Sequence, residues 1–418
     1  MTLLTRRSLE QVRAPLREVG LNTVAFGLII AVQQLIVFPG LGRSLDAAPF
    51  SQVILLITVS TIVSNVLGNE ASKVSLIRAE AYRRSGLPWD TPRIAAAGGA
   101  LVLLTVPVVL ATGGWPSGTV LQIGAITVLA IVRTFLTTPD KAVGAFGRVV
   151  LVHGTYGAGA VAGLLLVPAA GTPYLPFALG EAVSVIAVIV VRLRHREVPL
   201  TLRRTAEAGA TSRAFTHLAL MALLINAVTY LDRLTITPLL GAGALAVYYS
   251  ATALSSSLAL ITNPAGNAML ARLGRLSESA RTRVLRRGLL LALPLVLLFW
   301  GVSLAIVLGG LVVLYPTRFE AALPLLVPVS LSAACSNTIS LLSPLLQRFL
   351  ALRRLLTFHL VFAVVDAGAI VLLGTLWGLQ GFAWAGTVAN AVLLALYIVQ
   401  IRRLSRAPAI PPAPSPDR

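Results

Sequence analysis

Long apolar runs are the feature that most restricts what this chain can fold into. A run of about 20 apolar residues is the length that an α-helix needs to cross a bilayer. Twelve such runs alternate with short polar connections, near residues 22–40, 50–68, 94–112, 119–137, 147–168, 174–192, 214–240, 243–263, 288–312, 322–346, 355–377 and 381–400. The sequence therefore predicts an all-α polytopic membrane protein with about 12 transmembrane helices.

The composition agrees with lipid as the surrounding solvent. Of the 418 residues, 56% are hydrophobic and only 12% are charged, whereas a soluble domain carries roughly 25% charged residues. One globular core cannot bury that much apolar surface. Cys335 is the single cysteine, so no intrachain disulfide can form, and its small neighbours indicate an unreactive position inside a span.

The positive charge is distributed as an orientation signal. The net charge is +19 from 34 basic residues. With the N-terminus placed inside, 31 of these fall on the cytoplasmic side, Arg43 and Arg318 fall outside, and Arg233 lies within a span. The positive-inside rule then predicts a protein of the inner (cytoplasmic) membrane with both termini cytoplasmic. We expect the basic loops to contact anionic lipids rather than nucleic acid, because no aromatic-plus-basic strip accompanies them.

The longest cytoplasmic connection divides the predicted spans six and six. The pattern of Pro and Gly at 39–42, followed by Ser51, recurs at 238–241, followed by Ser250. Repeats of six spans share one orientation, as in transporters built from parallel repeats. The predicted organisation is an amphipathic cytoplasmic segment at 1–20, lobes at 21–192 and 214–403, a linker at 193–213, and a disordered Pro-rich tail at 404–418.

The second half contains motifs of a known family. The run YLDRLTITPLLGAGALAVYYSATALSSSLALITNPAGNAMLARLGRL (230–276) resembles the seventh and eighth spans of polysaccharide flippases, which belong to the same superfamily as multidrug-and-toxin exporters and lipid II flippases. Residues 315–330 and 378–394 are similar to later spans of that family. The resemblance implies two six-helix lobes around a central cavity. It also implies that a polyprenyl-pyrophosphate-linked oligosaccharide is moved from the inner to the outer leaflet for cell-surface polysaccharide synthesis.

Ionisable residues inside spans are candidates for function because each costs about 2.5–3.5 kcal/mol on insertion scales. Arg233 is a candidate for binding a pyrophosphate, restrained by Asp232 or Glu181, and its alternative role is that of an interfacial anchor. Arg133, near the cytoplasmic end of its span, is a candidate for contacting the same group or for snorkelling to the interface. Asp366 lies near the predicted midplane, where its carboxylate could serve ion coupling or a structural hydrogen bond.

Polar residues in the spans complete the candidate set. Asn226 and Asn337 could hydrogen-bond a sugar headgroup, although amides also join transmembrane helices. Asp232 and Glu181 join Asp366 as coupling or cavity carboxylates. No metal-ligand spacing accompanies His153 or His359, so neither a metal nor a cofactor is predicted.

Three function classes remain open at the level of sequence. An integral-membrane glycan polymerase or ligase is disfavoured, because the predicted outer connections are short and contain no catalytic motif. A lipid-linked oligosaccharide flippase is the leading hypothesis, and an ion-coupled drug or metabolite exporter of the same fold is the alternative. A flippase would act as a monomer on its lipid-linked glycan, beside the enzymes that assemble the glycan.

The predicted topology can be tested by cysteine labelling in a Cys335→Ala background. Leu200→Cys, Ala280→Cys and Leu350→Cys should resist a membrane-impermeant thiol reagent in intact cells, because they fall on the cytoplasmic side. Asp46→Cys and Trp115→Cys should react, because they fall outside. Labelling of position 200 or 280 without lysis would overturn the assignment.

Overall fold

We describe the protein from a computed structural model that covers residues 20, 23–24, 27–77, 97–104, 116–194, 208–273, 278–350 and 352–406. All regular secondary structure in these ranges is helical. Contacts divide the chain into two compact units, Met1–Tyr249 and Ser250–Arg418. The predicted lobe limits fall elsewhere, at 193–213, and stay a prediction.

The first unit begins with a helical span whose second half changes register. Residues 27–32 are α-helical, a π-helix occupies Gln33–Val37, and a second π-helix occupies Asn65–Asn69. The α-helices of this unit are α1 (Phe38–Ser44), α2 (Ala47–Ser64), α3 (Glu70–Ile77), α4 (Ser117–Ala142), α5 (Phe146–Ala170), α6 (Leu175–Arg194), α7 (Ala208–Thr229), α8 (Leu231–Leu240) and the first half of α9 (Ala242–Ser255). Helix α7 packs against α2, α3 and the second π-helix, which places it with the first unit.

The second unit contains fewer and longer helices. They are the end of α9, α10 (Ala259–Leu273), α11 (Glu278–Leu314), the short α12 (Phe319–Ala322), α13 (Leu326–Phe349) and α14 (Leu352–Arg406). Helix α13 packs against α10, α11 and α14. The core of this unit forms around Leu285, Leu345, Tyr397 and Ile401, which are fully buried.

Among the described residues, ten helical segments are long and apolar enough to cross a membrane. One of them, Arg353–Arg406, contains both of the last two predicted spans, because Gly378 has a φ of 57° and separates them. The predicted span at 94–112 is described only at 97–104, which is helical. The predicted 1–20 segment and the tail beyond 406 lie outside the described residues, apart from residue 20 and 404–406.

The predicted seventh span, 214–240, is wrong as a continuous helix. The chain breaks at Tyr230, whose backbone leaves the helical region, and α8 begins at the next residue. The cause is local, because the Asp232 carboxylate accepts a hydrogen bond from the backbone N–H of Arg233 (2.7 Å) at the start of α8. Free N–H groups in the first turn of a helix favour an acidic side chain there.

The surface and interior have the polarity expected in lipid. Leu121, Leu165 and Leu290 are about three-quarters exposed, at 74%, 76% and 75%. Arg133 and Glu181 are buried instead. Large apolar patches on the outside are avoided by soluble monomers, so this surface is one that faces acyl chains. The chain is accordingly a multi-pass membrane protein.

Two glycines let α5 and α6 approach closely. A Cβ added to Gly159 would lie 2.7 Å from the carbonyl oxygen of Leu179, and one added to Gly163 would lie 2.6 Å from the Cα of Pro176. Glycines spaced four apart allow helix backbones to pack tightly in membranes. This contact fixes α6, and with it Glu181, against α5.

We expect Gly163→Ala to lower the thermal melting temperature of the detergent-purified protein, because the new methyl group would collide with the backbone of α6. Gly154→Ala, on the same helix, is the matched control, since no atom lies within 4 Å of its added Cβ. The two melting curves should be compared by fluorescence-detected size exclusion. Equal melting temperatures for both variants would contradict the close packing.

Candidate functional site

A buried ion pair joins α4 to α6. Arg133 Nε donates to Glu181 Oε2 (2.6 Å), and Nη2 donates to Oε1 (3.1 Å), which gives a two-pronged contact. Only 9% of Arg133 and 4% of Glu181 is exposed. A bidentate pair of this kind satisfies both charges in a medium that cannot solvate them. The expectation that Arg133 snorkels to the interface is therefore wrong, because Glu181 compensates its charge inside the lobe.

Three more polar side chains surround this pair. His153 Nε2 lies 3.4 Å from Arg133 Nη1, and the guanidinium lies over the Tyr156 ring at 5.7 Å from its centroid. Gln33 Nε2 donates to the Tyr156 hydroxyl (2.6 Å). We call Arg133, Glu181, His153, Tyr156 and Gln33 the paired cluster. Within it each formal charge has a partner of opposite sign.

A second cluster forms around Arg233 at the start of α8. The Arg233 guanidinium lies between the rings of Tyr230 and Tyr249, at 5.1 and 5.0 Å from their centroids. Its Nε is buried and has no hydrogen-bond partner. Among the residues that the structure describes, no carboxylate lies within ion-pair distance of this guanidinium. Aromatic faces attract a desolvated cation, but they leave its in-plane N–H groups available.

Asp232 is held away from the neighbouring cation by other donors. Its Oδ1 accepts from the Arg233 backbone N–H, and its Oδ2 accepts from the Tyr248 hydroxyl (2.7 Å). Asp232 thus positions the turn and fixes α9 through Tyr248. We call Arg233, Asp232, Tyr230, Tyr248 and Tyr249 the Arg233 cluster.

The first π-helix connects the two clusters. A π-helix contains one extra residue per turn, and such turns are frequent at functional sites. Here the N–H of Phe38 bonds the carbonyl of Gln33, five residues back. Gln33 contacts the paired cluster through Tyr156, and the next residue, Gln34, lies beside Tyr249. The Tyr249 ring is also packed by Phe38, with centroids 4.8 Å apart.

Ser51 ties the start of α9 to α2. Its hydroxyl donates to the carbonyl of Ala242, just before the stretch that carries Tyr248 and Tyr249. Ser51 is one of the residues in the repeated sequence pattern, so that pattern marks a contact that positions the Arg233 cluster.

Asn226 lies in a separate amide network. Asn65 Nδ2 donates to Asn226 Oδ1 (3.1 Å), and Asn69 Nδ2 donates to Asn65 Oδ1 (2.8 Å), so the second π-helix supplies two of the three amides. The Asn226 amide also donates to the carbonyl of Ala222 (2.7 Å). These bonds join α7 to the second span, and a role in binding sugar stays a prediction.

The candidates of the second unit are both buried. Asn337 on α13 accepts from the Thr262 hydroxyl (2.5 Å) and donates to the carbonyl of Ala333 (2.8 Å). These contacts join α13 to α10. Asp366 lies on α14 and is 7% exposed. Its proposed part in coupling stays a prediction.

Two features of the candidate site differ from the sequence-based expectation: the partner of Glu181 and the presence of tyrosine rings. The expectation paired Glu181 with Arg233, whereas Glu181 binds Arg133. Tyr156, Tyr230 and Tyr249 were not singled out as site residues. The sequence does contain a pattern that predicts these contacts: two adjacent tyrosines at 248–249 follow a single arginine, Arg233, inside an apolar region. A cation and hydroxyl groups buried in lipid require polar or aromatic partners, so the tyrosines are natural partners for Arg233.

Comparison with known proteins identifies the fold. No protein-family model matches the chain, and no curated protein matches it in sequence. Solved structures do match. One is a multidrug resistance MATE transporter of the MOP superfamily in its outward-facing conformation, with a TM-score of 0.65 and 13% identity. The match covers 93% of this chain and 95% of the transporter chain. The Vibrio cholerae MATE transporter VcmN in the bent form matches with a TM-score of 0.62 and 14% identity over 94% and 98% of the chains.

The lipid II flippase MurJ in an inward closed conformation is a further match. It has a TM-score of 0.60 and 12% identity over 94% of this chain and 87% of its own. The prediction of an all-α polytopic membrane protein is confirmed, and the fold is the twelve-helix, two-lobe fold that these proteins share. Identities this low show the fold alone.

Removing one member of the Arg133–Glu181 pair should destabilise the protein strongly. We expect Arg133→Leu to lower the free energy of unfolding by about 3–5 kcal/mol, because it leaves a buried carboxylate without its partner. The double variant Arg133→Leu, Glu181→Leu should recover most of that loss. SDS titration of the purified protein measures both values, and Arg287→Leu is the control because Arg287 is exposed. A double variant less stable than Arg133→Leu would contradict a compensating pair.

Proposed function

We propose that this protein is a membrane transporter that flips a polyprenyl-pyrophosphate-linked oligosaccharide from the inner to the outer leaflet. The observation that supports this proposal is the state of Arg233. It is a cation inside a membrane lobe, lies between two tyrosine rings, and has no ion-pair partner among the described residues. Its Nε–H is therefore a donor that an anionic ligand can use.

The geometry suits a phosphoryl group in particular. Two tyrosine rings lie about 5 Å from the guanidinium carbon of Arg233, and its Nε has no hydrogen-bond partner in the protein, so this N–H can donate to a ligand. A planar fork of donors matches the oxygens of a phosphate. The attraction between unit charges rises as the effective dielectric falls, from about 1 kcal/mol at 4 Å in water to about 4 kcal/mol at an effective dielectric of 20.

The paired cluster strengthens the assignment of this role to Arg233. Arg133, the other candidate cation, already directs two of its nitrogens to Glu181. An anionic headgroup would have to break that pair to bind there. Arg233 can bind an anion without losing an existing ion pair.

The comparisons and the sequence support a transport function, and they support it better than they support any particular substrate. MurJ, named as a lipid II flippase, and the MATE transporters have the same fold as this chain. Among the transporters with this fold, the motifs in 230–276 favour one that moves a lipid-linked glycan. The alternative is an ion-coupled exporter of a drug or metabolite, which the fold match to multidrug resistance transporters favours.

The proposal predicts a graded loss of export on changing Arg233. Arg233→Gln should abolish most glycan export in a strain that lacks the native gene, and undelivered lipid-linked sugar should accumulate on the inner leaflet. Arg233→Lys should be intermediate, because it keeps the charge and loses the planar fork. Export is measured by complementation, with the membrane abundance of each variant determined in parallel.

Arg287→Gln is the control for loss of one positive charge, since Arg287 is exposed, and it should export normally. Full export by Arg233→Gln at normal abundance would overturn the role of Arg233. Uptake of a cationic dye driven by an ion gradient in proteoliposomes, without any movement of lipid-linked sugar, would favour the exporter.

A further inference from the structure

Three buried polar atoms in the described part of the first unit have no hydrogen-bond partner: Arg233 Nε, Thr237 Oγ1 and Gln34 Oε1. More than nine in ten buried polar groups in proteins are hydrogen-bonded. An unpaired one costs about 1–3 kcal/mol, and in lipid no solvent can relieve it. A single ligand would relieve all three if the atoms lie close together.

These atoms belong to one site. Arg233 and Thr237 are four residues apart on α8, a spacing that places side chains on the same face of a helix. Gln34 reaches this region from the first π-helix, where its amide interacts with Tyr249, the residue that stacks on Arg233. Helix α8, through Arg233, and the end of the first span, through Gln34 and Phe38, thus both approach Tyr249.

The Thr237 hydroxyl lacks the hydrogen bond that neighbouring threonines make within their own helix. The hydroxyl of Thr235 donates to the carbonyl of Leu231 (2.7 Å), and that of Thr229 donates to the carbonyl of Ile225 (2.8 Å). Both follow the common pattern in which the hydroxyl bonds the carbonyl four residues back. Thr237 does not use that carbonyl, so its hydroxyl can donate to a ligand.

The chemistry of the three atoms specifies the ligand that would satisfy them. Arg233 Nε can only donate, and the Thr237 hydroxyl can donate, so both suit an anion that offers acceptors alone. Gln34 Oε1 can only accept, so it cannot bind a phosphate oxygen and requires a hydroxyl or N–H. A phosphate bonded directly to a sugar presents both kinds of group side by side.

We propose that Arg233, Thr237 and Gln34 form a glycosyl-phosphate subsite. Arg233 and Thr237 donate to phosphoryl oxygens, and Gln34 accepts from a hydroxyl of the first sugar. The inference rests on the proposed function, because the ligand is the headgroup of the same lipid-linked glycan. It assigns recognition of the phosphate and recognition of the sugar to different residues.

Binding to the full-length protein in neutral-lipid nanodiscs separates these two assignments. The probes are geranylgeranyl pyrophosphate and the same lipid carrying one N-acetylglucosamine. Thr237→Val should weaken both probes about tenfold, since a hydrogen bond to a charged group contributes about 1.5–3 kcal/mol. Gln34→Leu should weaken only the glycosylated probe, by about fivefold.

Thr235→Val is the matched control, because its hydroxyl is satisfied within its own helix, and it should bind both probes like the wild type. Thr237→Ser, which keeps the hydroxyl, should restore binding. Size exclusion confirms that each variant is folded.

The outcomes distinguish this inference from the function on which it rests. If Thr237→Val and Gln34→Leu bind both probes normally while Arg233→Gln binds neither, the subsite is wrong and the proposed function stands. If the wild type binds neither probe and Arg233→Gln exports glycan normally, both proposals fail.

Discussion

The absence of hydrogen-bonding solvent in the bilayer governs this structure at every level. Backbone groups must be paired within each span, which is why the described chain is helical. The same constraint applies to polar side chains, which must find hydrogen-bond or ion-pair partners within the protein. Arg133 receives a carboxylate, Asp232 receives a hydroxyl and a backbone N–H, and Asn226 receives a neighbouring amide. Apart from the local bond between Asp232 and the backbone N–H of Arg233, each of these bonds joins two helical segments, so the bonds that satisfy polar groups also hold the unit together.

Within the described part of the first unit, the exceptions to this pairing lie on α8 and on the first π-helix. Arg233, Thr237 and Gln34 retain buried atoms without partners, although two tyrosine rings shield the cation. The contrast with Arg133 is informative because both residues are arginines inside the same unit. One is neutralised by Glu181 and stabilises packing, and the other keeps its charge available. The surroundings of an arginine, and not its presence in a span alone, therefore distinguish the structural role of Arg133 from the ligand-binding role proposed for Arg233.

The sequence predicts the fold well because its strongest signals are physical requirements of the bilayer. Runs of apolar residues locate most helices to within a few residues, and α4, α5 and α6 lie where the hydropathy places them. The break at Tyr230 escapes this reasoning, since it depends on one side chain bonding the next backbone N–H. Within the candidate site, Arg233 and Asp232 can be selected from the sequence because they are charged residues inside an apolar run. The partner of Glu181 is not, because pairing depends on how helices rotate about their axes.

In the first span, the rotation of the helix about its axis depends on the one extra residue of the first π-helix. A π-helix is equivalent to an α-helix with one residue inserted, and one residue corresponds to a turn of about 100° around the axis. Gln33 and Gln34 are adjacent, so their side chains point in different directions, Gln33 towards Tyr156 and Gln34 towards Tyr249. Excising one residue there would swing the preceding helical turn, residues 27–32, away from its neighbours while leaving composition and hydropathy almost unchanged. The packing of residues 27–32 therefore depends on the number of residues in this turn, which a substitution leaves unchanged.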